Sequence, residues 1–219
     1  MTSASGLEVR TRLTHALAGT SESQRRLADL RLPALLQGFL APSRVATLRP
    51  AGVLLAVLHS GDGHEDQVLF TQRSRRLRNH SGQVSLPGGG HDRGDGSLTA
   101  TALREAEEEV GLDPARVEVL GYLDDYPTGS GYRITPVVGW VEGTFAPRAE
   151  PAEVAATFLV PLPVLLDSSR YRRKSFLRNG ITLPFYQLDF EGHHIWGATA
   201  GILRDLCLRV AADGESICA

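Results

Sequence analysis

Little in this sequence points away from an ordinary globular protein. Its 219 residues contain only two cysteines. Cys207 and Cys218 both sit near the C-terminal end, without metal-ligand spacing, so a disulfide framework and a zinc ribbon are excluded. Free thiols in a reducing compartment are expected. No apolar run approaches the roughly 18 residues of a membrane span, and the opening MTSASGLEVR lacks the apolar core of a signal peptide. The protein is therefore expected to be soluble and cytoplasmic, with no membrane partner. A net charge of −2 and a pI near 6.4 give no bulk electrostatic case for binding nucleic acid. Internal repeats and low-complexity linkers are also missing. The length suits one domain, residues 51–212, with a helical extension over 1–50 and a tail over 213–219.

What is present is concentrated in residues 86–112, LPGGGHDRGDGSLTATALREAEEEVGL. A glycine-rich loop runs into a helix predicted over residues 98–110, with Gly111 placed as a left-handed stop. At about 100° per residue, Glu105, Glu108 and Glu109 share one face while Glu107 points away. Thr99, Leu103, Ala106 and Val110 form an inward stripe. The acidic face is locally unfavourable. Like charges at i, i+4 repel by roughly 0.2–0.5 kcal/mol per pair, and anions in a last turn oppose the helix dipole by about 0.3–1 kcal/mol each. A solvated helix end accounts for an isolated Glu-Glu pair. Three converging carboxylates behind consecutive glycines instead suggest a site for a hard divalent cation.

Residues 104–112, REAEEEVGL, resemble the second half of the Nudix box, G-x5-E-x7-R-E-U-x-E-E-x-G-U, where U is aliphatic. Arg104, Glu105, Glu108, Glu109 and Gly111 fill its fixed positions, and Ala106 and Leu112 its aliphatic ones. Gly90 fits the opening glycine. The first glutamate of the box falls on Gly96, with Asp92 and Asp95 nearby to take its place. The resemblance implies an α/β fold, a Nudix α/β/α sandwich with a mixed β-sheet, here preceded by N-terminal helices. It also implies a metal-dependent hydrolase using Mg²⁺ or Mn²⁺, with Glu105, Glu108 and Glu109 as metal ligands and a carbonyl near Gly89 as a further one. Arg104 would orient Glu108 through an i, i+4 pair. Glu153, in the loop before a later strand, resembles an additional acid of the family. Either it or Glu105 would serve as the base.

A second resemblance precedes the first. LFTQRSRRLRNHSGQVSLPGG is similar to the signature before the box in coenzyme A pyrophosphatases, L-L-T-x-R-S-x3-R-x3-G-x3-F-P-G-G. Thr71, Arg73, Ser74, Arg78, Gly82, Pro87, Gly88 and Gly89 fall in register, with Phe70 and Leu86 as mild departures. The implied reaction splits coenzyme A, or a derivative, into 3′,5′-ADP and 4′-phosphopantetheine. Arg73, Arg78, His80, Gly88 and Gly89 would receive the substrate's phosphates, arginine being suited to bidentate contact. ADP-ribose or NADH hydrolysis is the nearest alternative, and a non-catalytic nucleotide-binding module a more distant one.

The remaining chain supplies the frame. Residues 7–18 and 27–40 have helical apolar spacing and read as peripheral, which leaves a homodimer open. Apolar or alternating runs at 51–58, 67–73, 117–125, 132–141 and 183–192 predict strands, and residues 150–167 a loop, a strand and a short helix. Residues 169–176 read as a basic hairpin. Asp124 and Asp125 are expected as turn formers, and His193 and His194 as surface or capping residues. The resemblance implies that Trp196 and Gly197 close the core before an amphipathic C-terminal helix.

Overall fold

The computed structural model describes all residues except 1–5, 25, 31, 33–36, 39, 62, 77–80, 179–180 and 217–219. In chain order these form α1 (Gly6–Ala16), α2 (Pro42–Val45), β1 (Arg49–His59), β2 (Gln67–Arg73), β3 (Val84–Ser85), β4 (Gly88–Gly90) and α3 (Leu98–Val110). There follow β5 (Val117–Tyr122), β6 (Tyr126–Pro127), β7 (Tyr132–Glu142), β8 (Val154–Pro161) and α4 (Leu162–Leu165). β9 (Arg172–Arg178), β10 (Ile181–Phe190), β11 (His193–Trp196) and α5 (Ala198–Ser216) complete the chain. No helix among the described residues is long and apolar enough to cross a membrane.

β1 and β7 run parallel along their whole length, from Arg49 opposite Tyr132 to His59 opposite Glu142. Both are near-continuous apolar runs, the pattern of strands covered on two faces. Leu54, Ala56 and Leu58 of β1 face Ala102, Ala106 and Val110 of α3. Leu55 and Val57 face the opposite way, into a core with Leu203 and Leu206 of α5 and with Leu13 and Leu17. The result is an α/β/α sandwich around a mixed sheet in the order β3-β2-β1-β7-β5, with β8 on β2 and β6 on β7. On its other edge β1 is shared. β2 pairs with Val57 and Leu58, whereas β4 pairs with residues 51–53. The basic stretch lies in β9, which pairs antiparallel with β10, itself paired with β11.

Several expectations are corrected. The first predicted helix is present as α1, but it is not peripheral. Leu13 and Leu17, one turn apart, are fully buried in the main core. The described part of residues 27–40 contains no α-helix; Leu27 instead makes a bridge to Asp125. Asp125 is no turn former on the surface. It is fully buried, ion-paired to Arg133, and accepts a 2.7 Å hydrogen bond from Thr135 Oγ1. Trp196 does not close the core, since it lies exposed with its edge against Phe185, and Ile195 is buried instead. α5 continues to Ser216, past the predicted start of the tail. Cys207 is buried as a free thiol, and Cys218 lies outside the described residues.

Candidate active site

α3 is held in place by four separate devices. At its start Ser97 is the N-cap, its Oγ accepting from Ala100 N at 3.0 Å. The Glu22 carboxylate arrives from the N-terminal segment and accepts from Leu98 N at 2.8 Å and Thr99 N at 3.2 Å. An anion is favoured there by the free amides and the positive end of the dipole. At the other end Gly111, with φ 70°, donates to Glu107 O, and Leu112 donates to Ala106 O. Between them Gly52 lets the helix lie directly on β1, since a Cβ at that position would come within 2.4 Å of Leu98 O.

The three glutamates share a face but not an environment. Glu109 has a side chain only 2% exposed, Glu105 15% and Glu108 60%. Glu109 Oε2 accepts from Gly88 N in β4 at 3.2 Å, and its Oε1 lies 3.6 Å from Arg73 Nη1. Burial raises the Glu109 carboxyl to about 7, against the opposing pull of Gly88 N–H and Arg73. Glu105 is also raised by burial. Its carboxylate occupies the space where a Cβ on Gly89 would stand, 2.4 Å from the carboxyl carbon. With glycine there, the Glu105 carboxylate can lie directly against β4.

Arg104 is the hub. Its Nη1 donates to Glu108 Oε2 at 2.9 Å, the i, i+4 contact expected from sequence, and its Nη2 lies 2.9 Å from Glu105 Oε1. Its main partner is Asp95, through Nε to Oδ1 at 2.9 Å and Nη2 to Oδ2 at 3.1 Å. Gly96, at the box position for glutamate, faces open space.

Glu153 is exposed on a loop tied to both neighbouring elements. Its carbonyl accepts from Ser74 N at 2.7 Å, while Glu150 N donates to Glu109 O at 3.0 Å. Its negative charge contributes to raising both Glu105 and Glu109. Arg73 enters from the end of β2, at a bulge between Gln72 and Arg73. Its Nε is buried and has no hydrogen-bond partner among the described residues. Arg78 and His80 lie outside the described residues.

Sequence reasoning therefore grouped Arg73, Gly88, Gly89, Arg104, Glu105, Glu108, Glu109 and Glu153 around one locus, and the structure brings them together. It did not include Glu22 or Thr101. Glu22 carries no local signal, because its partners are some 76 residues away.

No group of three His, Cys, Asp or Glu side chains among the described residues is gathered as a ready metal cage. Glu105 and Glu108 are held by Arg104, and Glu109 by Gly88 N and Arg73. The donor set nonetheless suits Mg²⁺ or Mn²⁺. Adjacent buried carboxylates with raised proton affinity offer hard oxygen ligands, and a divalent cation would relieve their burial.

The family model described as NUDIX domain matches residues 48–179. The chain belongs to the Nudix domain family. α1 and α5, which form the second helical layer, both lie outside the matched stretch. The chain is 41% identical over 162 residues to an uncharacterized Nudix hydrolase NudL from Escherichia coli O1:K1 / APEC, across 74% of this chain and 83% of the relative. The NudL of Shigella boydii serotype 18 gives the same figures, 41% over 162 residues. Among solved structures, the MutT protein from Methanosarcina mazei Go1 aligns over 76% of this chain and 95% of its own, at 17% identity and a TM-score of 0.48. In Nudix terms the box runs from Gly90 to Leu112, and its only unmatched fixed position is Gly96.

Proposed function

We propose that this Nudix protein hydrolyses the diphosphate of coenzyme A or a derivative, releasing 3′,5′-ADP and 4′-phosphopantetheine or its acyl form. The observation that carries the reading is the meeting of Glu105 and Glu109 with the glycine strand β4 and Arg73. Buried carboxylates and a partly unsatisfied guanidinium are thereby held within one short span. The substrate class is supported by the register of residues 69–89 with the coenzyme A signature, which includes Arg73 and β4 itself.

Glu105 and Glu109, with Glu108 at the rim, would hold Mg²⁺ or Mn²⁺. Such a cation lowers the pKa of water and neutralises phosphate oxygens. Arg104 holds Glu105 and Glu108 in orientation. Arg73 offers N–H donors to the diphosphate, and its buried Nε has no partner among the described residues. Gly88 and Gly89 leave the backbone bare, so an anion can approach closely. Arg78 and His80 are assigned by sequence register to the further phosphate that coenzyme A carries. Glu153 takes the proton of the attacking water at its carboxylate, because Glu105 is engaged by Arg104. The water oxygen joins phosphorus as the bridging P–O bond breaks, and the leaving phosphate departs with the electron pair.

The test is a turnover panel of coenzyme A, ADP-ribose and NADH with Mg²⁺ or Mn²⁺, products separated by chromatography, with Glu109→Gln as the blank. 3′,5′-ADP from coenzyme A should dominate and vanish in the variant. Dominance of ADP-ribose or NADH would move the substrate assignment, and no cation-dependent turnover at all would favour a binding module.

A further inference from the structure

The Nudix box of this chain lacks its first glutamate, yet Arg104 is the most heavily engaged cation in the site. Left alone, a guanidinium between Glu105 and Glu108 would fold onto whichever carboxylate is nearer. It would then compete for the oxygens a divalent cation needs. In the folded site Arg104 touches both glutamates, 2.9 Å from Glu105 Oε1 and 2.9 Å from Glu108 Oε2, and the loop between β4 and α3 adds a third carboxylate that fixes where it stands between them. Asp95 turns back in a tight turn, its N–H donating to Asp92 O at 3.0 Å. Its carboxylate receives Arg104 through two parallel N–H donors, at 2.9 and 3.1 Å. This forked geometry gives direction as well as attraction.

Asp95 is itself immobilised. Oδ2 also accepts from Thr101 Oγ1 at 2.8 Å and Asp92 N at 3.0 Å, and Thr101 is further bonded to His91 Nδ1 at 2.9 Å. Its side chain is 7% exposed, whereas Asp92, the other nearby acid, is 81% exposed with its carboxylate 3.9 Å from Arg104. The four contacts hold the Asp95 carboxyl well below the usual carboxylate range, Arg104 being the chief cause.

We infer that Asp95 is the positioning residue of this site: one residue ahead of the vacant box position, it anchors Arg104 so that Glu105 and Glu108 stay oriented for a divalent cation. The inference rests on the metal-site reading above and deepens it. Partners that orient metal ligands from behind typically affect metal affinity or activity by about 10–100-fold.

Calorimetric titration with Mn²⁺ tests this without reference to turnover. Asp95→Asn should weaken Mn²⁺ binding by about 10–100-fold, while Asp92→Asn should stay within about twofold of wild type. Gly96 faces open space at its missing Cβ, so the acid can be moved to the box position. Asp95→Asn combined with Gly96→Glu should recover most of the loss. Wild-type affinity in a folded Asp95→Asn protein overturns the inference, as does an equal loss in Asp92→Asn, which would indicate a bulk charge effect. If Asp95→Asn alone does not fold, the double variant decides. Near-native Mn²⁺ binding supports the inference, and failure to fold or to bind overturns it. Wild-type protein that binds Mn²⁺ but cleaves no diphosphate would sink the catalytic reading and leave this result standing. No Mn²⁺ binding by the wild type would sink both.

Discussion

Glu109 carries the sharpest conflict at the scale of single residues. It is almost wholly buried, and its carboxyl is pushed up to about 7 by that burial. In the presence of chelator the folded protein keeps a proton here that the unfolded chain has released. The stability from this group is therefore full below the ordinary glutamate range and is lost as pH rises through about 7. A shift of this kind is worth on the order of 3 kcal/mol. Glu109→Gln removes the titration. Chelated variant at pH 8 should melt roughly 6–12 °C above chelated wild type, and the advantage should disappear at pH 4.5. A variant that melts lower at both pH values would refute this. Adding Mn²⁺ should raise the melting temperature of wild type and not of the variant. The shared face of Glu105, Glu108 and Glu109 was legible from helical spacing. Their unequal burial was not, because β4 and β2 create it. Asp95 was half legible, as one of two acids near Gly96, and only the folded loop distinguishes it from Asp92.

At the scale of the element, α3 is aimed by contacts at its ends and along one side. Two glycines separate its stability from its chemistry. Gly52→Ala would press a methyl against backbone, 2.4 Å from Leu98 O. It should cost about 1–3 kcal/mol, the range of overpacked cores, and lower the melting temperature measurably. Gly89→Ala would meet only the end of Glu105, a side chain that can swing away. Its melting temperature should barely change while cation-dependent turnover falls about 10–100-fold. Equal melting losses in the two variants would contradict the separation. Glu22→Gln weakens charge-assisted bonds to two amides and Thr99 Oγ1. A loss of about 1–2 kcal/mol is expected, and thermal denaturation would measure it. The helix bounds, including the Gly111 stop, were legible because capping is local chemistry. Glu22 was not, since its role exists only once the N-terminal segment has docked. The same holds for Asp125, whose partners Arg133 and Thr135 reach it from the facing strand of a hairpin.

For the whole molecule, the longer sheet strands β1, β2, β5, β7 and β8 were readable as apolar or alternating runs, while the short β3, β4 and β6 and the partners of each helix were not. Amphipathic spacing in α1 says that the helix packs, without saying on what. Leu13 and Leu17 turn out to share a core with α5. Leu13→Ala should accordingly cost about 2–5 kcal/mol, and denaturant midpoints would show it. A change under about 0.5 kcal/mol, typical of a surface position, would restore the view of α1 as an appendage. Trp196 was misplaced because resemblance supplied its position and not its facing: along β11 the alternation of faces turns Ile195 inward and Trp196 outward. The parallel pairing of β1 with β7 has a bearing on how the molecule comes into being. β4, the Asp95 loop and α3 all belong to the chain that this pairing encloses. Parallel strands need such a crossover, and contacts so distant in sequence slow folding. Until β7 docks, β1 lacks its longest partner and α3 lacks part of the sheet beneath it. A newly made chain can therefore display its acidic helix well before it has a site, and its activity should return only in the slow closing step of refolding.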